Sequence, residues 1–314
     1  MPIALYTFSG NVVGLIDSIT VPIQLSKLFV DNFEYYERMF DFAIKEQGIS
    51  QELLPTFLYG IRSKAHTLYN IIPSLTAFIG VSAVPHIAKA LSESNRKLID
   101  EQCIKVLKVS AVISIPAGIG FIALNRQIMF LLFGDSGSSV IGGNMLIFYG
   151  ISTALSGIVA VMGNILQALG KQNKALINVA VGVGFKIIFN LLLCRIPSLN
   201  IYGAVISTAI CFAVIFILNI FSIFFNLDRE YKIFALFLKP ALASVICGLT
   251  AYFISEISDK KINTLLSIVF AVVVYAFFIT ILKVFSIDEI KKFPFGRHIL
   301  KIFCKKTLKN EKIN

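Results

Sequence analysis

Residues 201–225 read IYGAVISTAICFAVIFILNIFSIFF, with no charged side chain anywhere in the run. A run of about eighteen or more apolar residues, rising ~1.5 Å each as a helix, crosses a hydrocarbon core of ~30 Å. The apolar residues are continuous and do not alternate with period two, which excludes a strand of a membrane barrel. Working outward from this segment, runs of the same kind occupy 175–194, 143–166, 105–124, 66–89 and 2–24 on one side, and 233–254 and 262–284 on the other. The predicted fold class is therefore all-α: a polytopic membrane helix bundle of about eight transmembrane helices.

The composition agrees. Hydrophobic residues make up 56%, charged residues 15%, and mean hydropathy is +0.80. A soluble domain has roughly 45–50% apolar and about 25% charged residues, so a soluble globular protein, a disordered chain and a nucleic-acid module are all excluded. There are 28 Phe and no Trp, so interfacial aromatics have to be Tyr and Phe. The five cysteines form no CxxC pair, the four in or beside apolar runs read as small hydrophobes, and His66, His86 and His298 cluster with nothing, so no cofactor or metal is expected.

Between the runs, 25–58 is more polar. Asp31, Glu34, Glu37, Asp41, Glu46 and Glu52 interleave with Phe33, Met39, Phe40, Phe42 and Ile44, which predicts a loop holding an interfacial amphipathic helix. The piece 128–133, closed by Gly134-Asp135-Ser136-Gly137, is too short to cross and is expected at the interface. The run at 2–24 lacks the basic start and small-residue cleavage site of a signal peptide.

The net charge of +11 reads as cytoplasmic Lys and Arg facing anionic lipid heads. With the tail in the cytoplasm, the inner segments carry 17 Lys and Arg against 9 outside. The positive-inside rule is then met with both termini cytoplasmic, in the cell membrane.

Catalytic patterns are missing: no P-loop, no HExxH, no GxSxG, and no outer loop with paired acids to hold a metal and a diphosphate. The chain is expected not to be an enzyme. Polar groups within spans are more informative, because a charge in hydrocarbon costs at least ~2.5 kcal/mol. Asp17 lies deep in the first span, and Lys186 lies midway along the fifth with Asn190 one turn on. Asn164 and Gln167 close the fourth, while Arg62 and His66 are expected at the outer mouth of the second. Interhelical hydrogen bonds are the plainer explanation for Asn164 and Asn190, and snorkelling for Arg62. Snorkelling does not serve Lys186, which has apolar sequence on both sides. Prolines 22, 73, 85, 116 and 240 recur within spans, as suits helices that bend, though static bundles carry them too.

Three stretches carry a resemblance. They are Ile72-Pro73-Ser74-Leu75 through Val84-Pro85-His86-Ile87-Ala88-Lys89-Ala90; Ile115-Pro116-Ala117-Gly118-Ile119-Gly120 followed by 128–134; and Asn164-Ile165-Leu166-Gln167-Ala168-Leu169-Gly170-Lys171. The third is followed by Asn178, Lys186, Asn190, Ile201-Tyr202-Gly203-Ala204 and Thr208. Together they resemble the stage V sporulation protein B and polysaccharide-export family. These are relatives of the lipid II flippase in the multidrug/oligosaccharidyl-lipid/polysaccharide exporter superfamily. Asp17, with Val21 and Leu25, fits the seventh helix of that family.

The resemblance implies a fourteen-helix architecture of two six-helix lobes plus two further helices, of which this chain looks like the second lobe and the last pair. The expected organisation is a lobe over 1–226 with its outer loop at 25–65, two added spans over 227–285, and a basic cytoplasmic tail over 286–314. It also implies a truncated chain or half-protein, whose partner is a missing N-terminal lobe or a second copy. The implied function is a flippase or exporter of a polyprenyl-diphosphate-linked saccharide for the cell wall, peptidoglycan or another polysaccharide. Arg62, Lys186, Asn190, Gln167 and Asn164 are then substrate-binding candidates, and Asp17 a coupling candidate. The alternatives are a drug/cation antiporter of the same superfamily and an inactive half. Expected partners are the lipid-linked saccharide and membrane lipids, and no nucleic acid.

Overall fold

A computed structural model describes residues 2–41, 45, 48–134, 136–225, 233–257 and 261–285. Within them the chain is helical and forms no strand. The elements are α1 (Pro2–Asp31), α2 (Phe33–Met39), α3 (Leu54–Ser92), α4 (Arg96–Ala123), α5 (Asn125–Phe133), α6 (Ser136–Ala168), α7 (Gln172–Leu193), α8 (Ile201–Phe224), α9 (Ile233–Ser255) and α10 (Lys261–Ile281). A single 3₁₀ turn, Gln51–Leu53, leads into α3.

Seven of these helices, α3, α4 and α6 through α10, are long and apolar enough to cross a membrane. They coincide with the second to eighth predicted spans, and the run at 2–24 falls on α1. The expected tail over 286–314 lies outside the described residues.

Several boundaries differ from the sequence reading, and α3 begins at Leu54 rather than near residue 66. First, α1 does not stop near residue 24 but continues to Asp31. Val21, Leu25 and Phe29, four apart, are all buried, so one face of the helix keeps packing while polar residues accumulate on the other. Second, the helix expected within 25–58 includes α2, whose one buried side chain among those described packs back on α1. Tyr36 is buried and stacks on Phe29 with ring centroids 4.2 Å apart, folding α2 onto the end of α1. The short piece expected at 128–133 falls on α5, which is closed by Gly134, whose φ of 70° is the left-handed cap that glycine adopts without strain.

The side chains are distributed as lipid requires. Phe78, Phe253, Val269 and Val272 point outward, while Ser207, Thr208, Asn219 and Ser267 point in. Lipid tails are as apolar as leucine, so helices associate through close packing and internal hydrogen bonds. The crossing of α4 and α6 is the clearest case. A Cβ on Gly118 would lie 2.3 Å from the carbonyl oxygen of Gly150, so the two backbones touch.

Helix α6 is the central element, packed against α3, α4, α5 and α8; α1 lies mainly on α7, and α7 on α8. The pair α9 and α10 docks from outside, with α9 against α4. Side-chain bonds join this pair to the bundle: Gln127 Nε2 of α5 donates to Ser255 Oγ of α9 at 3.2 Å, and another answers a proline. Pro116 has no N–H, so the carbonyl of Val112 loses its helical donor. The Tyr275 hydroxyl of α10 donates to that oxygen at 2.8 Å.

Apolar clusters fill the two ends of the bundle. One gathers Leu25, Phe29, Tyr36, Leu54, Leu58, Met145 and Ile201. The other, at the far end, gathers Ile87, Ile99, Leu107, Met162 and Leu166. The polar centre lies between them.

Candidate functional site: a buried ion cluster

Three helices bring charge into the interior and a fourth brings neutral acceptors. Asp17 comes from α1, Arg62 from α3, Lys186 from α7, and α8 supplies the oxygens around the lysine. Asp17 is 1% exposed, Arg62 3% and Lys186 0%. The two carboxylate oxygens of Asp17 are divided between the cations. Oδ2 accepts from Arg62 Nη2. Oδ1 faces Lys186 Nζ at 2.7 Å and accepts from Asn190 Nδ2 at 2.9 Å.

Lys186 is held from the other side by α8. Its ammonium donates to the Ala204 carbonyl at 2.9 Å, Ser207 Oγ at 3.1 Å and Thr208 Oγ1 at 2.6 Å. With Asp17 Oδ1, four oxygens surround a group that has three N–H donors, so its bonding capacity is filled. Asn190 also donates to Thr20 Oγ1 at 3.0 Å and accepts from Cys194 Sγ at 3.0 Å, locking α7 to α1. Arg62 lies 5.6 Å from the centroid of the Tyr59 ring. Its Nε and the hydroxyl of neighbouring buried Tyr149 have no hydrogen-bond partner among the described residues.

The ionised cluster thus sets two cations against one carboxylate. In a low-dielectric interior each member depends on the others, and removing one partner of a buried pair costs about 3–5 kcal/mol. His66, one turn beyond Arg62, packs edge-on against Tyr149 at 5.8 Å, and its Nδ1 lies 3.2 Å from Asn70 Nδ2.

The sequence candidates separate into two groups. Asp17, Arg62, Lys186 and Asn190 meet in the cluster. Arg62 is not at an open mouth, as its position before the run at 66–89 suggested; α3 begins at Leu54, so Arg62 lies two turns inside the helix and pairs with Asp17. Asn164 and Gln167 are elsewhere. Asn164 donates to the Ala77 carbonyl at 3.4 Å, and the Gln167 carbonyl accepts from Gly170 N at 3.0 Å. The latter belongs to the cap that ends α6, where Lys171 N also reaches Leu166 O at 2.8 Å and Gly170 has φ of 73°. Thr20, Ser207 and the Ala204 carbonyl were not singled out in the sequence. Hydroxyls in apolar spans usually bond back to their own helix, so they carry no signal until a lysine is aimed at them.

Beside the cluster is a cavity of about 280 Å³ lined by all four of these helices and α6. Val13, Tyr69, Val179 and Phe212 line it, each one or two turns from a cluster residue of its own helix and all displaced towards the same end. The ion cluster therefore sits between this cavity and the apolar cluster around Tyr36. Among the described residues no group of three or more His, Cys, Asp and Glu is placed to hold a metal.

Comparison with known proteins gives this arrangement its relatives. The MatE family model matches residues 63–192, which hold α4, α5 and α6 and most of α3 and α7. Over 188 residues the chain is 26% identical to lipid II flippase MurJ of Bacillus subtilis (strain 168), covering 60% of this chain and 34% of that one. Over 253 residues it is 24% identical to the uncharacterized membrane protein YabM of the same organism, covering 78% of this chain and 46% of that one. The matched region thus spans less than half the length of either curated relative. The resemblance read from the motifs holds at this level: the chain is similar to membrane transporters of the multidrug/oligosaccharidyl-lipid/polysaccharide exporter superfamily.

Proposed function

We propose that the chain forms the second lobe, and the two helices that follow it, of a flippase or exporter for a polyprenyl-diphosphate-linked saccharide. The observation that carries this reading is the surplus cation of the Asp17–Arg62–Lys186 cluster. A diphosphate-sugar head cannot cross hydrocarbon unaided and needs a polar path with positive charge along it. Arg62 and Lys186 are the cations available to such a path, and Asp17 is the group whose neutralisation would free them, which gives it the coupling role. Asn190 orients the carboxylate. Asn164 and Gln167 are placed further along the bundle, where they could meet the head only after the cluster has passed it on.

The flippase activity attributed to MurJ is consistent with this assignment. Alternating access then moves one lobe against another, so the partner lobe is a missing N-terminal bundle or a second copy. The division at residues 226/227 fits the way α9 and α10 attach through α4. Both termini are assigned to the cytoplasmic side of the cell membrane. The drug/cation antiporter alternative is less favoured, because Asp17 is already saturated by two cations and an amide.

The test is transfer of a fluorescent polyprenyl-diphosphate-linked saccharide between leaflets of proteoliposomes carrying the chain, alone and joined to its partner lobe. Transfer above protein-free vesicles, reduced at least tenfold by Lys186→Met, is the expected result. No transfer in either form would overturn the proposal.

A further inference from the structure

The outward face of α7 is an apolar stripe with a cation at each end. Ile177, Val181, Phe185, Ile188 and Leu192 follow one another at three or four residues and are all exposed, so they lie on one side of the helix. Lys174 stands three residues before the stripe and Arg195 three residues after it, both exposed. At ~1.5 Å per residue the stretch from Lys174 to Arg195 measures about 30 Å, the thickness of a hydrocarbon core. Lys174 is therefore at the level of lipid head groups. Further positive charge gathers there. Lys174 N donates to the Lys171 carbonyl at 3.0 Å, so the two lysines share one turn. Ile99 of α4, Ala168 of α6 and Ala175 of α7 pack in one apolar cluster, which brings the start of α4, with exposed Arg96, to the same end of the bundle. The ammonium of partly buried Lys171 is held below the ordinary lysine range by loss of water and by the charges of Lys174 and Arg96. Among the described residues no carboxylate pairs with Lys171 or Lys174; Glu93 faces Lys89 at 3.8 Å, and Asp100 is buried.

We infer that Lys171, Lys174 and Arg96 bind the phosphate of an anionic phospholipid whose acyl chains lie along the apolar stripe of α7. The phosphate oxygens accept from the two ammonium groups and the guanidinium, and their charge offsets the repulsion among these cations. A zwitterionic lipid brings its own cation to the same place and relieves that repulsion less. The stripe below Lys174 gives the chains of that lipid a continuous apolar lane. This is a preference at one place on the surface, beyond the general attraction of a basic chain to an anionic leaflet. It is independent of the cargo and of the Asp17–Arg62–Lys186 cluster.

The chain has no tryptophan, so one introduced indole reports without background. Ile177→Trp places it in the stripe, one turn from Lys174, and Phe253→Trp, on the exposed face of α9, is the lipid-facing control. The full chain is reconstituted in equal parts of phosphatidylglycerol and phosphatidylcholine, with bromine on the acyl chains of one lipid or the other. Brominated phosphatidylglycerol is expected to quench Ile177→Trp at least twofold more than brominated phosphatidylcholine, and the two are expected to quench Phe253→Trp alike. Adding Lys171→Gln and Lys174→Gln should bring the ratio at position 177 to about one. Equal quenching at 177 in the parent would mean contact with lipid of any kind, and no quenching by either lipid would mean that a protein neighbour covers the face. A like preference at 253 would mean general attraction to the anionic leaflet, and a preference at 177 that survives both glutamines would place the head group elsewhere. Each of these four results would overturn the inference. The comparison of positions 177 and 253 stands alone if the glutamine variant does not fold.

Discussion

Asp17 Oδ1 and Lys186 Nζ, from helices α1 and α7, meet at 2.7 Å with both side chains sealed from the surface. Asp17 is the hub of this contact, because it also holds Arg62, whereas Lys186 has three further acceptors on α8. The two residues are therefore unequal. Asp17→Asn leaves two buried cations facing each other and is expected to cost about 3–5 kcal/mol. Lys186→Met leaves a balanced Asp17–Arg62 pair and is expected to cost less. Thermal unfolding in detergent should rank them in that order; equal losses would contradict the hub role.

The dock of α10 can be isolated by a double-mutant cycle. Tyr275→Phe removes the donor to the Val112 carbonyl and is expected to cost about 1 kcal/mol. In a Pro116→Ala background the carbonyl regains a helical N–H, so the same change should cost distinctly less. A coupling energy near zero would mean that the phenol does not serve the proline defect.

The contact of α4 with α6 leaves no space for a methyl group. Gly118→Ala puts a Cβ against the Gly150 carbonyl and is expected to destabilise by about 1–3 kcal/mol. Gly120→Ala, two residues on with nothing within 4 Å of its Cβ, is the matched control and should be nearly silent. Chemical denaturation midpoints of the two variants give the comparison.

Outside the spans, the Tyr36 hydroxyl of α2 is pushed up to about 12 by burial and by Tyr35 beside it. The folded state keeps this proton while the unfolded chain releases it near 10, so its contribution to stability is complete below pH 10 and lost as pH rises towards 12. Tyr36→Phe should lose less stability over that interval than the parent. Parallel stability curves from pH 9 to 12 would refute the assignment.

The spans were legible because lipid imposes a length and a polarity that a sequence displays directly. The site was legible in part for the same reason. Asp17 and Lys186 stand out against apolar runs, and Asn190 follows one turn behind. Arg62 was read as peripheral because it precedes the apolar run at 66–89, whereas α3 begins at Leu54 and carries it two turns into the helix, beside Asp17. The extension of α1 depends on Val21, Leu25 and Phe29 finding partners in other helices, which is a tertiary effect. The oxygens around Lys186 were hidden because serine and threonine in a membrane helix satisfy themselves locally until a charge is brought to them. Asn164 and Gln167 were grouped with the site because they share a motif with Lys186, but that motif includes the turn ending α6, and Gln167 contributes its backbone to that turn.

The acceptor for Tyr275 is a main-chain oxygen, so the identity of residue 112 is immaterial to it. Selection on this joint falls on two distant positions, a proline in one helix and a phenol in another. A descendant that loses the ring at 116 has no reason to keep the hydroxyl at 275, while the Gln127–Ser255 bond and the packing of α9 on α4 go on holding the outer hairpin in place.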